Sequence, residues 1–496
     1  MDYRSFVSER KALLVSPAGY GKTYTIVQSL KYTQGKQLIL THTHAGVASI
    51  REKIENENIP SNQFHIETIS SFCQKYVQNF YVGNDIPDQE NKQYHAFTLD
   101  KAFLLFKSPM VQHIVKSTFV GLFVDEYQDC TKKQHDVIMV LSDLFPTRIL
   151  GDPLQSIFDF NGDLVDFERD LPDFTSYPDL DVPNRWYRNG YNTLGDIIKG
   201  FRENLISREP VSLIENIPSG LHIFPVQNGD LYSFKSSYTK PLQAIIANRR
   251  KDPTMESLLI IVPEYEEVLP VGSRNRGTIS DRVNIKNRID FANRLTLLEA
   301  IDDRSFYQIA RTADELVLGI NRAKNKINRV KKDILLSVFK KTEIDSWFSK
   351  EDFTVKRSES DKGKTFKVKQ KFNSFFKEPS TYNLLALLVE AKSQFGLKQK
   401  REAIHRNLLN SLKQSTYENI SVYEAMKNNR NQIKRVGRKV DGKCIGTTLL
   451  TKGLEFDTVV LLDANKFDTP EHLYVALSRC CKKLIIFTDN LKLSPY

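Results

Sequence analysis

The apolar run Ala12-Leu13-Leu14-Val15 passes through Ser16-Pro17-Ala18-Gly19-Tyr20-Gly21-Lys22-Thr23 straight into a helical pattern from about Lys22 to Leu30. A strand that feeds a helix through so short a turn leaves little choice of architecture. The chain must come back beside the first strand in the same direction, which builds a parallel sheet covered by helices. Other short apolar runs follow the same pattern. Gln37 to Leu40, Phe119 to Val124 and Arg148 to Leu150 lie within the first 180 residues; Thr458 to Leu462 and Leu484 to Phe487 lie near the end, with a helix around Leu473 to Cys480 between them. The expected fold class is α/β.

The middle of the chain is different. From about Asn284 to Ile433 it is rich in Lys, Leu, Asn and Glu, with Ile327, Val330, Ile334, Leu335 and Val338 at helical spacing, and Ser358 to Lys371 reads as a polar loop or mobile arm. Charge divides the chain at the same place. Of 71 Lys and Arg against 60 Asp and Glu, residues 321–440 hold 29 against 12, which leaves the remainder slightly acidic. Such a stretch faces a polyanion or is a solvated lysine-rich helical surface, and charge alone leaves both open.

With 496 residues the chain exceeds what one core usually supports. No apolar run approaches the roughly 20 residues of a membrane-spanning helix, and Met1 to Ser5 lacks the apolar segment of a secretory signal. Five cysteines, none in a C-x-x-C pair, argue against a disulfide scaffold or zinc ribbon and for a reducing cytoplasm, with no membrane partner.

The glycine-rich turn has a chemical reading. Gly19 and Gly21 let the backbone N–H groups wrap a phosphate at a helix N-terminus, Lys22 reaches the terminal phosphates, and the Thr23 hydroxyl suits a magnesium ion. The complementary element is an apolar strand ending in acids, Leu122-Phe123-Val124-Asp125-Glu126. Asp125 would hold the metal, and Glu126 would orient and deprotonate an attacking water.

Asp125-Glu126-Tyr127-Gln128-Asp129 resembles the D-E-x-Q-D signature of superfamily 1 DNA helicases of the UvrD/Rep/PcrA type, and further motifs follow in that family's order. Thr41 to Ala48 resembles motif Ia and Thr68 to Phe72 motif Ib. Gly151 to Phe158 resembles motif III, Trp186 to Asn189 motif IV, Thr447 to Asp457 motif V and Tyr474 to Arg479 motif VI. The resemblance therefore runs through nearly the whole chain. It implies two RecA-like domains around an ATP and Mg2+ site. Gln155 would sense the γ-phosphate, Arg188 and Arg479 would act as arginine fingers, Tyr187 would stack on the adenine, and Glu455 would contact the ribose. Thr41, Thr43, Thr68, Phe72 and Thr448 would contact single-stranded DNA, on which Phe160 would stack a base.

Some positions depart from the family. The Gln that precedes the phosphate loop is missing, which bears on base selectivity; Asn161 stands where motif III usually has Arg; and the segment between motifs Ib and II is short. The expected layout is a first RecA-like domain over 1–180 with a small insertion near 73–117, a second over 181–283 plus 441–496, and a helical basic insertion over 284–440. The implied activity is ATP-dependent movement on single-stranded DNA, 3′ to 5′, with strand separation at single/double-strand junctions. The alternative is a DNA-stimulated ATPase subunit of a larger complex. The helicase subunits of two-gene antiphage systems of the Gabija kind, which work beside an OLD-family nuclease, are similar in size and layout.

Overall fold

A computed structural model of the chain describes every residue except 89, 90, 92, 159–163, 214–219, 271, 301, 302, 437–439 and 441. The first sheet comprises β1 (Lys11–Val15), β2 (Gln37–Thr41), β3 (Phe64–Thr68), β4 (Gly121–Val124), β5 (Thr147–Gly151) and β6 (Thr175–Tyr177), all parallel, in the order β3-β2-β4-β5-β1-β6. The continuous apolar runs follow from burial on both faces. Leu13, Leu38, Leu40, Leu122, Val124 and Ile149 enter one core, whereas Ala12, Leu14, Ile39, Phe123 and Leu150 enter the core on the opposite face. Helices Ile69–Phe80, Tyr94–Lys107 and Pro109–Thr118 lie between β3 and β4 and pack into the first of these cores through Phe72, Phe106 and Val115.

The second sheet is also six-stranded and parallel: β7 (Leu221–Pro225), β8 (Leu258–Ile261), β9 (Thr296–Leu297), β10 (Lys443–Gly446), β11 (Phe456–Leu461) and β12 (Cys480–Thr488), in the order β9-β10-β8-β11-β12-β7. Leu259, Ile261, Val459 and Leu461 face one core and Leu258, Ile260, Val460 and Leu462 the other. Both sheets are RecA-like in character, and they lie within one compact unit, Met1–Leu298 with Arg435–Tyr496.

Glu299–Lys434 forms the second compact unit. The expected start of the insertion near 284 moves to 299, because Ile279–Ile289 is a helix on the second core and Thr296 and Leu297 pair with Cys444 and Ile445. This unit has its own core, in which Phe339, Phe348, Phe372 and Phe395 meet the inner faces of Arg304–Gly319, Thr381–Phe395 and Glu402–Glu418. The stretch expected to be a loop at Ser358 to Lys371 is instead most of helix Glu359–Lys377. Ser358 caps it by accepting from Asp361 N, and Val368, Phe372 and Phe375 turn inward at i, i+4 and i+7. Counted over these bounds, the helical unit holds 28 Lys and Arg against 17 Asp and Glu, and the other unit holds 43 of each. The whole net charge of the protein is therefore the charge of its helical unit. Among the described residues, no helix is long and apolar enough to cross a membrane.

Candidate nucleotide and nucleic-acid site

Parallel sheets present ligands at the carboxyl ends of their strands, and the candidate residues of the first sheet lie at those ends. β1 runs into the glycine turn, whose Gly19 (φ 80°) and Gly21 (φ 114°) adopt the left-handed backbone that a side chain resists. β4 delivers Asp125 and Glu126, and Ser16 N donates to Gly151 O (2.9 Å) at the end of β5. Together they form a cleft of about 610 Å3 lined by Gly19, Gly21, Lys22, Thr23, Asp125 and Glu126. Glu126 has a left-handed φ of 55°, a strained conformation for a non-glycine residue and one that clusters at functional sites.

The charges in the cleft are buried and matched. Lys22 Nζ donates to Glu126 Oε2 at 3.3 Å, and Gln128 Nε2 donates to the same oxygen at 2.6 Å. Burial opposes ionisation of Lys22, but Glu126, Asp125 and Asp152 more than offset it and hold the ammonium protonated. Burial, then the adjacent Glu126, pushes the Asp125 carboxyl upward. Burial pushes Glu126 the same way, but Lys22 and Lys452 outweigh it and keep Glu126 ionised. Asp125 Oδ1 is buried and has no hydrogen-bond partner among the described residues. An orphaned carboxylate oxygen in the same cleft as the Thr23 hydroxyl fits a divalent cation, so this donor set suits magnesium.

The second sheet supplies the opposite wall. Arg479 is 3% exposed, and its Nη2 donates to Gln155 Oε1 at 3.1 Å. Gln155 Nε2 donates to Asp152 Oδ2 (2.9 Å), and Arg202 Nη2 donates to Asp152 Oδ1 (2.8 Å). Glu455 lines the cleft and accepts from Arg185 Nη2 at 2.9 Å, and the Arg185 charge holds its carboxyl down at about 2. The phosphate turn itself is gripped from this side: Arg185 N donates to Gly19 O (2.8 Å), Asn184 Nδ2 to Tyr20 O (3.0 Å), and Ala18 N to the Tyr474 hydroxyl (3.1 Å). Trp186 packs so closely that a Cβ on Gly19 would lie 2.9 Å from its Cζ3. Gly19→Ala should therefore destabilise the fold by at least about 1 kcal/mol, the cost of a left-handed side-chain residue, and weaken nucleotide binding. Denaturant midpoints and nucleotide titrations that match the parent would contradict this.

The expected site residues separate into groups. Lys22, Thr23, Asp125, Glu126, Gln155, Glu455 and Arg479 converge on one cleft. Arg188 is exposed at its rim, with its guanidinium 4.7 Å from the centre of the Tyr24 ring, whereas Arg185, three residues earlier, is the buried arginine of that short helix. Tyr187 does not line the cleft; it is 37% exposed and its hydroxyl donates to Asp196 (2.6 Å). Sequence reasoning misses Arg185, Asp152, Arg202 and Lys452. Of these, Arg185 carries a readable signal, as a second arginine immediately before the Trp186–Asn189 motif.

For the strand-contact residues, one expectation is corrected. Phe72 is 0% exposed and its ring stacks on Phe106 at 5.5 Å, so it is core and offers no face to a base. Ile69, Phe72, Cys73, Tyr76 and Val77 repeat at i, i+3, i+4, i+7 and i+8, which is the readable sign of a buried stripe. Thr43 and Thr68 cap helices His44–Asn56 and Ile69–Phe80 by accepting from Gly46 N and Ser71 N. Thr41 is buried beneath Gly46, and Thr448 shares a hydrogen bond with His472 Nδ1 (2.7 Å). Phe160 and Asn161 lie outside the described residues.

A nucleotide in this cleft would be touched from both sheets at once. Residues 88–167 match the UvrD/REP helicase N-terminal domain, and residues 356–488 match the viral superfamily 1 RNA helicase core domain. Among curated proteins the chain is similar to the Gabija protein GajB of Bacillus cereus (strain VD045), with 25% identity over 192 residues. That alignment takes in 30% of this chain and 38% of GajB, so the chain spans well under half of the relative's length. Solved structures with partial similarity include Arterivirus nonstructural protein 10 (helicase) in complex with DNA, at 16% identity and a TM-score of 0.25 over 44% of this chain and 45% of that one. A crystal structure of Arterivirus nonstructural protein 10 (helicase) matches at 15% identity and a TM-score of 0.28, over 55% of this chain and 50% of that one.

Proposed function

We propose that the chain is an ATP-dependent DNA helicase or translocase that moves on single-stranded DNA, 3′ to 5′, and acts at single/double-strand junctions. The observation that carries this reading is the cleft itself, where Lys22, Asp125 and Glu126 from one sheet face Arg185, Glu455 and Arg479 from the other. A triphosphate bound there completes both walls, and its departure removes the reason for them to close. Lys22 would leave Glu126 for the phosphate oxygens, freeing Glu126 to take a proton from water. Thr23 and Asp125 would hold magnesium, which supplies charge neutralisation on the phosphates when bound. Arg479 and Arg185 would stabilise charge in the transition state, and Arg185 supports the finger role better than Arg188 because it is buried beside Glu455. Tyr24 and Arg188, at the rim, supply the flat surfaces a base could meet.

A second reading is favoured by the similarity to GajB: a DNA-stimulated ATPase subunit that works in a complex with a nuclease and unwinds little alone. Four of the five cysteines are buried and none is in a disulfide, which suits a reducing cytoplasm. One experiment separates the readings. ATP hydrolysis by the purified chain is measured with and without single-stranded DNA, followed by strand displacement on a 3′-tailed duplex. Stimulation with displacement supports the first reading, stimulation without displacement the second, and hydrolysis indifferent to DNA would sink both.

The charge of the helical unit supports an interaction with duplex phosphates. Lys331 is tied to Asp345 and to the Phe348 and Ser349 carbonyls, so it is a poor probe. Lys367, Lys369, Lys371 and Lys377 of helix Glu359–Lys377 are exposed. Replacing all four with Gln should weaken binding to tailed duplexes of any sequence. It should also flatten the slope of log affinity against log salt by about 0.9 for each phosphate that is no longer neutralised. An unchanged slope would identify the lysines as a solvated face.

A further inference from the structure

In the helical unit, helix Thr381–Phe395 carries the unbroken apolar run Leu384-Leu385-Ala386-Leu387-Leu388-Val389. Such a run covers more than one turn, so it rings the helix rather than marking one face. Leu384, Leu387, Leu388, Ala391 and Phe395 account for the inner face, buried in the core of this unit. The outer face is left with Tyr382, 63% exposed, and Val389, 48% exposed, seven residues apart, and with the half-buried Leu385 and Ala386 between them. A helix that is apolar on every side is ordinarily covered on every side.

The neighbouring helices supply a rim of the opposite character. Glu359–Lys377 and Glu402–Glu418 both pack against this middle helix. On the first, Lys369 and Lys377 are exposed, and Phe366, half a turn of the helix from the buried Val368, is 62% exposed. On the other, Arg406, Asn410, Lys413 and Tyr417 recur at i, i+4, i+7 and i+11, the exposed stripe opposite Ile404, Leu408 and Leu412. The Thr381 and Thr416 hydroxyls hydrogen-bond at 3.0 Å, which brings the start of the middle helix to the end of its neighbour; Tyr382 and the 89% exposed Tyr417 directly follow those threonines. Of the acids on these helices, Glu359 and Asp361 pair with Lys362 and Lys364, and Glu418 accepts from Gln414. The surroundings of the apolar strip are therefore basic.

We propose that this strip is the docking site for an acidic amphipathic helix of a partner protein. An apolar centre within a charged rim is how protein interfaces are built. Tyr382 and Val389 stand on either side of the lower Leu385 and Ala386, a notch that the side-chain ridge of a second helix fills and a flat lipid surface does not reach. The basic rim selects Asp and Glu beside that ridge. A second copy of this chain would set one positive rim against another, and the aliphatic centre offers a nucleic acid neither charge nor ring. The site lies wholly within the helical unit and does not rest on the helicase reading.

The test is fluorescence anisotropy of labelled peptides added to the full chain. The amphipathic probe is a helical peptide with Leu at i, i+3, i+4 and i+7 and Glu at its other positions; a control has the same composition with the leucines spread around the helix. The amphipathic peptide should bind about tenfold tighter than the control, and the double variant Tyr382→Ser, Val389→Ser should lose that margin. Replacing Arg406 and Lys413 with Gln should weaken its binding and reduce the salt dependence. All four side chains lie outside the core, so melting temperature and ATP hydrolysis without DNA should stay parental. Equal affinity for the two peptides, no binding of either, or a double variant that binds like the parent overturns the proposal. So does a duplex oligonucleotide whose affinity falls in the double variant, which makes the strip a nucleic-acid surface. A dimer in sedimentation that the double variant abolishes overturns it too, in favour of a contact between copies. If the double variant does not melt cooperatively, amide hydrogen exchange of the parent with and without the amphipathic peptide decides. Protection on Thr381–Phe395 supports the site, and protection only elsewhere overturns it.

Discussion

Glu126→Gln protein is expected to bind ATP at close to parental affinity and to turn it over at least about 10²-fold more slowly, the lower end of what a positioned general base contributes. The substitution keeps the shape of the side chain and its contact with Gln128 but removes the charge that Lys22, Lys452 and Arg479 hold ionised. Binding is expected to survive because, on the proposed function, phosphate contacts would come from Lys22 and the glycine turn. Lys22→Ala is the contrasting case, since it removes the phosphate-binding charge and should abolish binding and turnover together. The paired measurement is nucleotide affinity beside single-turnover hydrolysis. Substantial turnover by Glu126→Gln would remove Glu126 from the role of base.

Arg479→Ala should lower kcat by roughly 10³-fold, the lower end for an arginine finger, with a much smaller change in ATP affinity. A charge that acts mainly in the transition state shows in kcat before it shows in binding. The three arginines form a graded series that reads the geometry directly. Arg479, buried and bonded to Gln155, should have the largest effect. Arg185 should follow with a comparable fall plus reduced stability, because its removal breaks its bonds to Glu455 and the Ser478 carbonyl. Arg188, exposed over Tyr24, should cost affinity more than rate. A kcat for Arg188→Ala as low as that for Arg479→Ala would restore the finger role to Arg188.

Much of this site is legible in the chain because its parts are local. A glycine turn between strand and helix, or two acids at a strand end, needs only neighbouring residues to be recognised. The motif register fails where three-dimensional facing decides the outcome. Arg185 and Arg188 both belong to the same short helix. Which of them is buried depends on Trp186 seating against Gly19, a contact between residues 167 positions apart. Phe72 lies in a strand-contact motif, yet the helix that carries it turns that edge into the core. The polar stretch before Val368 conceals a helix whose apolar face begins late, although Ser358 three residues before Asp361 is a readable capping signal.

The sequence by itself determined the α/β class, the phosphate turn, the Asp-Glu strand end and the division of charge, since each depends on residues within a turn or a strand of one another. Tertiary structure alone decided which arginine of the short helix is shielded from solvent, that Lys452 pairs with Asp129, and that the net charge belongs to the unit beginning at Glu299. The physical reason is burial. The energy of a charge is set by which groups surround it once water is gone, and those groups come from segments up to 324 residues apart in the chain, as with Gln155 and Arg479.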